Sequence, residues 1–409
     1  MTHTHAKFPS FLRLAGVVLL VALGGCSDVL SAGQTAGVTF TNDPWGGSPE
    51  KGRNLHTDRL VLAQNTLPAP DEGGLKELAP GILVGSVSSY YTLFPEQGES
   101  QQSYRTLYER ELNAGTVLSY PTATWTGPKQ YDFSQFNAVV NWFEERGMAQ
   151  VAHLLVGPDH YYPDWFREGT YTPEQLEAYL EDFIRAAMES NDNGRKVDVW
   201  NVVNEALITY NGPRHTSMMW QRLGAEDDRS GLSGDAKVLE QHPVYIRKAF
   251  EIAERHTDAK LELRDNGVEF PDSTEYAAFY QLVRHLLNVG TPLDAVGFQM
   301  HLNTERTYDW DGLTDTVRRF KALGLEVYVT ELDVKNDGTE AGRQKQKDYY
   351  YQVVKAAREG DADLINFWGL RDGQMGERDE GTFPHLFEGA DMTPKPAYEG
   401  VRQALTETR

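Results

Sequence analysis

Cysteine is nearly missing: the 409 residues hold only Cys26. A disulfide framework, a thiolate metal site and a thiol nucleophile further along the chain are therefore excluded. The glycine cradles for phosphate are missing too, since no Gly-x-Gly-x-x-Gly or Walker-type run occurs. No apolar run is long enough to span a bilayer as a helix; Leu14–Leu23 falls well short. Positive charge is scarce, with 39 Lys and Arg against 60 Asp and Glu and a formal net charge of −21. That balance argues against nucleic acid and anionic membrane surfaces as partners. Histidine spacing gives no metal motif, so the sequence implies no metal and no other cofactor.

What is present begins with a processing signal. Lys7 and Arg13 precede the run Leu14–Leu23, which ends Leu23-Gly24-Gly25-Cys26. These residues resemble the lipobox of bacterial lipoproteins, which implies a signal peptide over 1–25 and lipid attachment at Cys26. The acyl chains would then supply the only membrane affinity. Ser27, not Asp, follows the cysteine. The expected location is therefore the cell envelope, at the outer membrane or cell surface rather than the inner membrane. Residues 26–77 are rich in Gly, Ser, Thr, Asn and Pro with little periodicity, and read as a flexible tether. The domain is expected to span 78–409 as a monomer.

From Leu78 on, short apolar runs alternate with amphipathic stretches. Strands are expected at Ile82–Val87, Thr116–Tyr120, Gln150–Leu155, Val197–Val203, Leu261–Arg264, Ala295–Gln299, Glu326–Thr330 and Leu364–Trp368. Between them, helices are expected at Phe133–Arg146, Pro173–Ser190, Tyr245–Arg255, Thr274–Asn288, Leu313–Leu323 and Gln344–Arg358. Thr172-Pro173 opens one of these, and Asp311 or Thr314 opens another. Eight strands alternating with helices predict an α/β fold, a single (β/α)8 TIM barrel. A doubly wound open sheet is the rival, without its usual glycine turn. The polar, turn-rich segment 224–241 reads as an insertion on or near the active face.

The domain is organised around Val197–Leu207, a valine-rich buried strand that stops on Asn204-Glu205. One acid at a strand tip has an ordinary reading as a helix N-cap. A second strand ends the same way, however, with Glu326–Thr330 running into Glu331-Leu332-Asp333. These are the fourth and seventh strands, and in a closed barrel both tips open onto one mouth, where barrel enzymes keep their chemistry. Two carboxylates converging there are what glycoside hydrolysis needs. One protonates the leaving oxygen, and the other attacks or activates water.

At these residues the chain resembles glycoside hydrolase family 10, the retaining β-1,4-xylanases. Trp200-Asn201-Val202-Val203-Asn204-Glu205-Ala206 is similar to that family's acid/base signature, and Thr330-Glu331-Leu332-Asp333 to its nucleophile motif. His153-Leu154-Leu155-Val156, Tyr245–Glu254, Val296–Leu302, Phe367-Trp368-Gly369 and Pro394–Tyr398 match in the same order. The resemblance implies Glu205 as general acid/base and Glu331 as nucleophile, in a two-step mechanism on xylan-type polysaccharide or oligosaccharide. It also implies that Asn204 bonds the hydroxyl beside the anomeric carbon, that His301 with Gln299 aims the nucleophile, and that His153 contacts the central sugar. Trp368 would form an apolar floor beneath that sugar, or belong to the barrel core.

The match breaks on the non-reducing (glycone) side. The family's Thr-Pro-Glu-Asn-x-Met-Lys-Trp is here Leu118-Ser119-Tyr120-Pro121-Thr122-Ala123-Thr124-Trp125, so the Glu, Asn and Lys that grip sugars are gone. Gly157-Pro158 stands for Trp-His, and Arg264-Asp265-Asn266-Gly267 for Asn-Asp-Tyr-Asn. The tryptophan that follows the eighth strand is absent from Arg371-Asp372-Gly373-Gln374-Met375. These departures imply a rebuilt groove, with Arg264, Arg371 and the 224–241 insertion as lining that would suit an acidic substituent. Two other functions stay open: a retaining β-glycosidase acting on another β-glycan, and a surface glycan-binding lipoprotein that hydrolyses nothing.

Overall fold

The computed structural model describes residues 73–95, 100–209 and 219–408. The expected signal peptide, Cys26 and nearly all of the tether lie outside them. The chain divides into two units: Met1–Pro49 falls wholly outside the described residues, and Glu50–Arg409 contains the architecture that follows.

Eight parallel strands form the barrel: β1 (Leu83–Ser88), β2 (Ala114–Leu118), β3 (Ala149–His153), β4 (Val199–Asn204), β5 (Lys260–Asp265), β6 (Ala295–Phe298), β7 (Glu326–Lys335) and β8 (Leu364–Phe367). Each pairs with its sequence neighbours, and β8 pairs back onto β1. Between β6 and β7 the register runs Ala295↔Glu326 to Phe298↔Val329. That pairing completes the closed cylinder and removes the open-sheet rival. Their residues form these strands because both faces are covered, so the sequences are near-continuous apolar runs instead of alternating ones. All six residues of β4 are buried.

Helices follow the strands: α1 (Ser100–Glu111), α2 (Ser134–Glu144), α3 (Pro173–Glu189), α4 (Val244–Glu254), α5 (Thr274–Asn288), α6 (Trp310–Lys321), α7 (Glu340–Glu359) and α8 (Pro396–Glu407). α3 starts on a capping box: Thr172 accepts from the Gln175 N–H while the Gln175 side chain accepts from the Thr172 N–H, and Pro173 fills N1. α6 begins earlier than expected, because Asp309, not Asp311 or Thr314, caps it by accepting from the Gly312 N–H. The domain also starts a few residues before Leu78. Leu75 and Leu78 on a short turn of helix are fully buried, and Glu111 accepts the Leu75 N–H at 2.9 Å.

Gly297 on β6 marks how tightly the barrel interior is filled. A Cβ there would stand 2.0 Å from Glu262 Oε1, so only glycine leaves room for the charged side chains of β5.

Candidate active site

β4 ends at Asn204, and Glu205 then adopts a φ of 56°, a left-handed conformation for a residue with a side chain. Such a backbone costs about 1–3 kcal/mol and persists only where its surroundings impose it. Here the Glu205 N–H is held by the Arg264 carbonyl at 2.8 Å, and the next turn is held by Asp265, which accepts the Leu207 N–H at 2.7 Å. The strand thus finishes in a sharp turn that brings the Glu205 carboxyl to the mouth. On β7, the pairing with β8 slips between Val329 and Leu332, which lets Glu331 leave the regular alternation.

The two carboxyls meet opposite surroundings. Glu205 Oε1 accepts from Gln299 Nε2 at 3.0 Å and from the Tyr161 hydroxyl at 3.5 Å. Burial pushes its pKa up, the charge of Glu331 adds to this, and the Gln299 hydrogen bond only partly opposes it. Glu331 is 3 % exposed and is gripped on both oxygens. His301 Nε2 donates to Oε2 at 3.1 Å, and Arg264 donates through a terminal nitrogen to Oε1 at 3.2 Å. Burial would raise this acid, but the His301 hydrogen bond and the Arg264 charge outweigh it and bring it down to about 2.

His301 acts as a cation in this arrangement. Burial works against its charge, yet Asp333 at 3.0 Å and Glu331 together push it up to about 9. Both ring nitrogens therefore donate. Asp333 also receives Arg378 at 3.3 Å, so a chain of alternating charge runs from the loop after β8 to Glu331. His153 is its opposite. Burial, then the Arg264 charge, lowers it to about 3 and keeps it neutral, with Nδ1 2.9 Å from Asn201 Oδ1. Trp368 lies between the two histidines, with ring centroids 5.4 Å from His153 and 6.3 Å from His301, and is 5 % exposed. It faces the site and is nearly as covered as the core.

Asn204 completes the centre. Its Oδ1 accepts from Gln299 at 3.4 Å, while its Nδ2 is buried without a partner. An unmet buried donor costs about 1–3 kcal/mol, so it is a place where a ligand hydroxyl gains binding. The structure thus brings together Glu205, Glu331, Asn204, Gln299, His301, His153 and Trp368. Cys26 lies outside the described residues.

Two expectations about the groove need correcting. Arg264 is fully buried, forked onto Glu262 by two 2.9 Å bonds and onto Glu331, so it braces the nucleophile side and does not present a free charge to substrate. The 224–241 segment lies on the flank of α4 and α5: among the described residues, its hydrogen bonds to the helices go to Val244, Arg247, Gln281, Arg284, His285 and Asn288. Gln281 alone accepts two of its backbone N–H groups, from Val238 and Leu239.

Four participants escaped the sequence reading. Glu262 sits two residues before Arg264, the strand spacing that places both on one face, and that was the available signal. Asp265 is pushed up to about 8, first by burial and also by the charges of Glu205 and Glu269. Tyr120 and Tyr161 stack at 5.3 Å with planes 4° apart, and Tyr120 meets the edge of His153 at 5.5 Å. They form an aromatic wall where the family motif carries polar sugar-gripping groups.

A closed (β/α)8 barrel whose mouth sets a carboxyl pushed toward its protonated form against one held ionised defines a glycoside hydrolase of the two-carboxylate class. The chain belongs to glycosyl hydrolase family 10, whose model matches residues 84–404. Among its relatives, endo-1,4-beta-xylanase A of Humicola insolens is 30% identical over 288 residues, covering 68% of this chain and 69% of that protein. Endo-1,4-beta-xylanase B of Thermotoga neapolitana is 26% identical over 321 residues, covering 75% and 84%. The structure of xylanase 10B from Thermotoga maritima superposes with a TM-score of 0.65 at 25% identity, over 82% of this chain and 98% of that one. The Thermotoga petrophila RKU-1 xylanase 10B, solved with xylobiose, gives the same figures.

Proposed function

We propose that this chain hydrolyses β-1,4-linked xylan-type chains with retention of configuration. Glu205 acts as general acid and then general base, and Glu331 as nucleophile. The observation that carries this reading is the split between the two carboxyls, because the first step needs one acid loaded with its proton and the other stripped of it. Glu205 protonates the departing oxygen while Glu331 attacks the anomeric carbon. The resulting glycosyl ester is opened by a water that Glu205, now ionised, deprotonates. Asn204 Nδ2 serves the hydroxyl beside that carbon, a contact that strengthens as positive charge develops in the ring. His153, neutral, offers a hydrogen bond to the same sugar, and Trp368 lies beneath it. Relatives called xylanases support the choice of sugar.

The aromatic wall of Tyr120 and Tyr161 favours a second substrate reading, another β-linked glycan whose glycone end stacks where xylan would be hydrogen-bonded. A non-hydrolytic glycan-binding role has no use for the carboxyl split. The motif at Leu23–Cys26 supports a lipid anchor on a monomeric enzyme in the cell envelope, at the outer membrane or cell surface, with the residues between Cys26 and Leu75 as its tether. Incubating the purified protein with xylan, glucuronoxylan and β-glucan, and following the anomeric proton by NMR, tests the chemistry and substrate together. The β-anomer should appear first, most rapidly from xylan. The α-anomer as first product would refute the two-step mechanism. Labelling with radioactive palmitate, lost in Cys26→Ser, tests the anchor.

A further inference from the structure

Tyr120 stands in the mouth at the end of β2, in the stretch where the family motif carries its sugar-gripping Glu, Asn and Lys. Its backbone is fixed from both sides. Ser119 donates its N–H to the His153 carbonyl at 2.6 Å and its hydroxyl to the Leu154 carbonyl at 3.1 Å. The Tyr120 carbonyl accepts the N–H groups of Ala123 and Thr124 at 2.9 and 3.1 Å, and the Thr124 hydroxyl at 3.1 Å. The ring is fixed as well, stacked on Tyr161 and set edge-on to His153. A tyrosine packed in this way has little side-chain freedom left to lose when a ligand arrives.

These contacts put Tyr120 between the two carboxyls. On one side the Tyr161 hydroxyl is 3.5 Å from Glu205 Oε1. On the other, His153 Nδ1 is 3.1 Å from the same Arg264 nitrogen that holds Glu331 Oε1 at 3.2 Å. Burial, then the charges of Glu331 and Glu205, push the Tyr120 pKa up, and Arg264 and Arg378 only partly oppose this. The phenol therefore keeps its proton and stays both a donor and an acceptor. Tyr120 is half-buried, and its hydroxyl has no hydrogen-bond partner among the described residues.

We propose that the Tyr120 hydroxyl bonds the reacting sugar, at a hydroxyl remote from the anomeric carbon, and sets part of the substrate specificity in place of the missing family groups. The proposal rests on the reading of Glu205 as acid and Glu331 as nucleophile, since that reading places the anomeric carbon between them. Asn204 serves the hydroxyl beside that carbon from the end of β4. Tyr120 enters from the end of β2, two strands away, and so meets a different part of the ring. A covered hydroxyl that loses its sugar partner finds no replacement, so a sugar lacking that one hydroxyl is rejected.

The test compares kcat/KM for 4-nitrophenyl β-xyloside and its 3-deoxy and 4-deoxy counterparts in the wild type, Tyr120→Phe and Tyr161→Phe. The wild type should prefer the parent compound over one of the deoxy sugars by about tenfold or more. Tyr120→Phe keeps the ring and its packing; it should lose about tenfold on the parent and reduce that preference to below about threefold. Tyr161→Phe should retain the full preference, because its hydroxyl faces Glu205. A preference undiminished in Tyr120→Phe, or none in the wild type, overturns the proposal and leaves Tyr120 as a packing ring. If the aryl glycosides are not turned over, calorimetry with xylotriose in a Glu205→Gln background reads the same contact. Tyr120→Phe should then bind about five- to tenfold more weakly, and equal affinity overturns the proposal. No turnover of xylan, glucuronoxylan or β-glucan by the wild type would count against the roles of Glu205 and Glu331, while the binding comparison still decides Tyr120.

Discussion

The mouth of this barrel has two halves built on different principles. On the side of β4 to β7, Glu205, Gln299, His301, Arg264 and Glu331 form a network in which nearly every polar atom has a charged or hydrogen-bonded partner. On the side of β2 and β3, Tyr120 and Tyr161 present stacked rings, and the sugar-gripping Glu, Asn and Lys of the family motif are absent. Bond-making chemistry tolerates little displacement, so the first half keeps the family's groups even though Arg264 takes the place of an asparagine. Holding a sugar tolerates many solutions, and the second half uses a different one. Losing hydrogen bonds to sugar hydroxyls changes which chain binds, whereas losing a catalytic carboxyl ends turnover.

The sharpest break of this comparison is at the acids themselves. Glu205→Gln and Glu331→Gln should each lower kcat by about 10³-fold or more on any accepted glycan, with the fold intact by circular dichroism. Retained turnover in either variant would dissolve the division of labour between the two halves.

Arg264 gives the next largest effect. Replacing it with the family's asparagine leaves Glu262 buried and unpaired, which should cost about 3–5 kcal/mol in a denaturant titration. Arg264→Asn combined with Glu262→Gln removes both charges and should recover most of that loss. The double variant then isolates the effect on chemistry. Arg264 stabilises the ionised form of Glu331, so without it the carboxyl's pKa rises from about 2. Activity that persists to low pH in the wild type should therefore fall away at a higher pH in the variant, seen as an upward move of the acid limb of kcat/KM. An unmoved limb would make Arg264 a packing residue only.

These two halves also differ in how far the sequence exposed them. The eight strands were visible because each is a short apolar run buried on both faces, and the strand count alone put Glu205 and Glu331 at one mouth. The boundaries shifted where local geometry intervened, as at β7, which runs on to Lys335 past the slip that frees Glu331. Arg264 was visible as a departure, but its role was not. A lone arginine beside a cleft reads as a substrate contact until Glu262 is seen to share its face and Gly297 to leave the space they fill. The Tyr120–Tyr161 pair joins residues 41 positions apart on two different loops, and no local period connects them.

The smallest expected effect falls on the seam between the two halves, at Tyr161. Its hydroxyl donates to Glu205 Oε1 at 3.5 Å, a long bond that favours the ionised carboxyl slightly. Tyr161→Phe keeps the ring and its stacking on Tyr120, so KM should stay within about threefold of the wild type. Removing the donor makes the charged form of Glu205 a little less favourable, so its pKa rises. Glu205 must be protonated for the first step, and the alkaline limb of kcat/KM should therefore move to slightly higher pH. The opposite pattern, a KM raised many-fold with the limb unmoved, would mean that the hydroxyl grips sugar. The aromatic wall would then be a polar subsite in its own right, and the contrast between the two halves would narrow to the residues of β2.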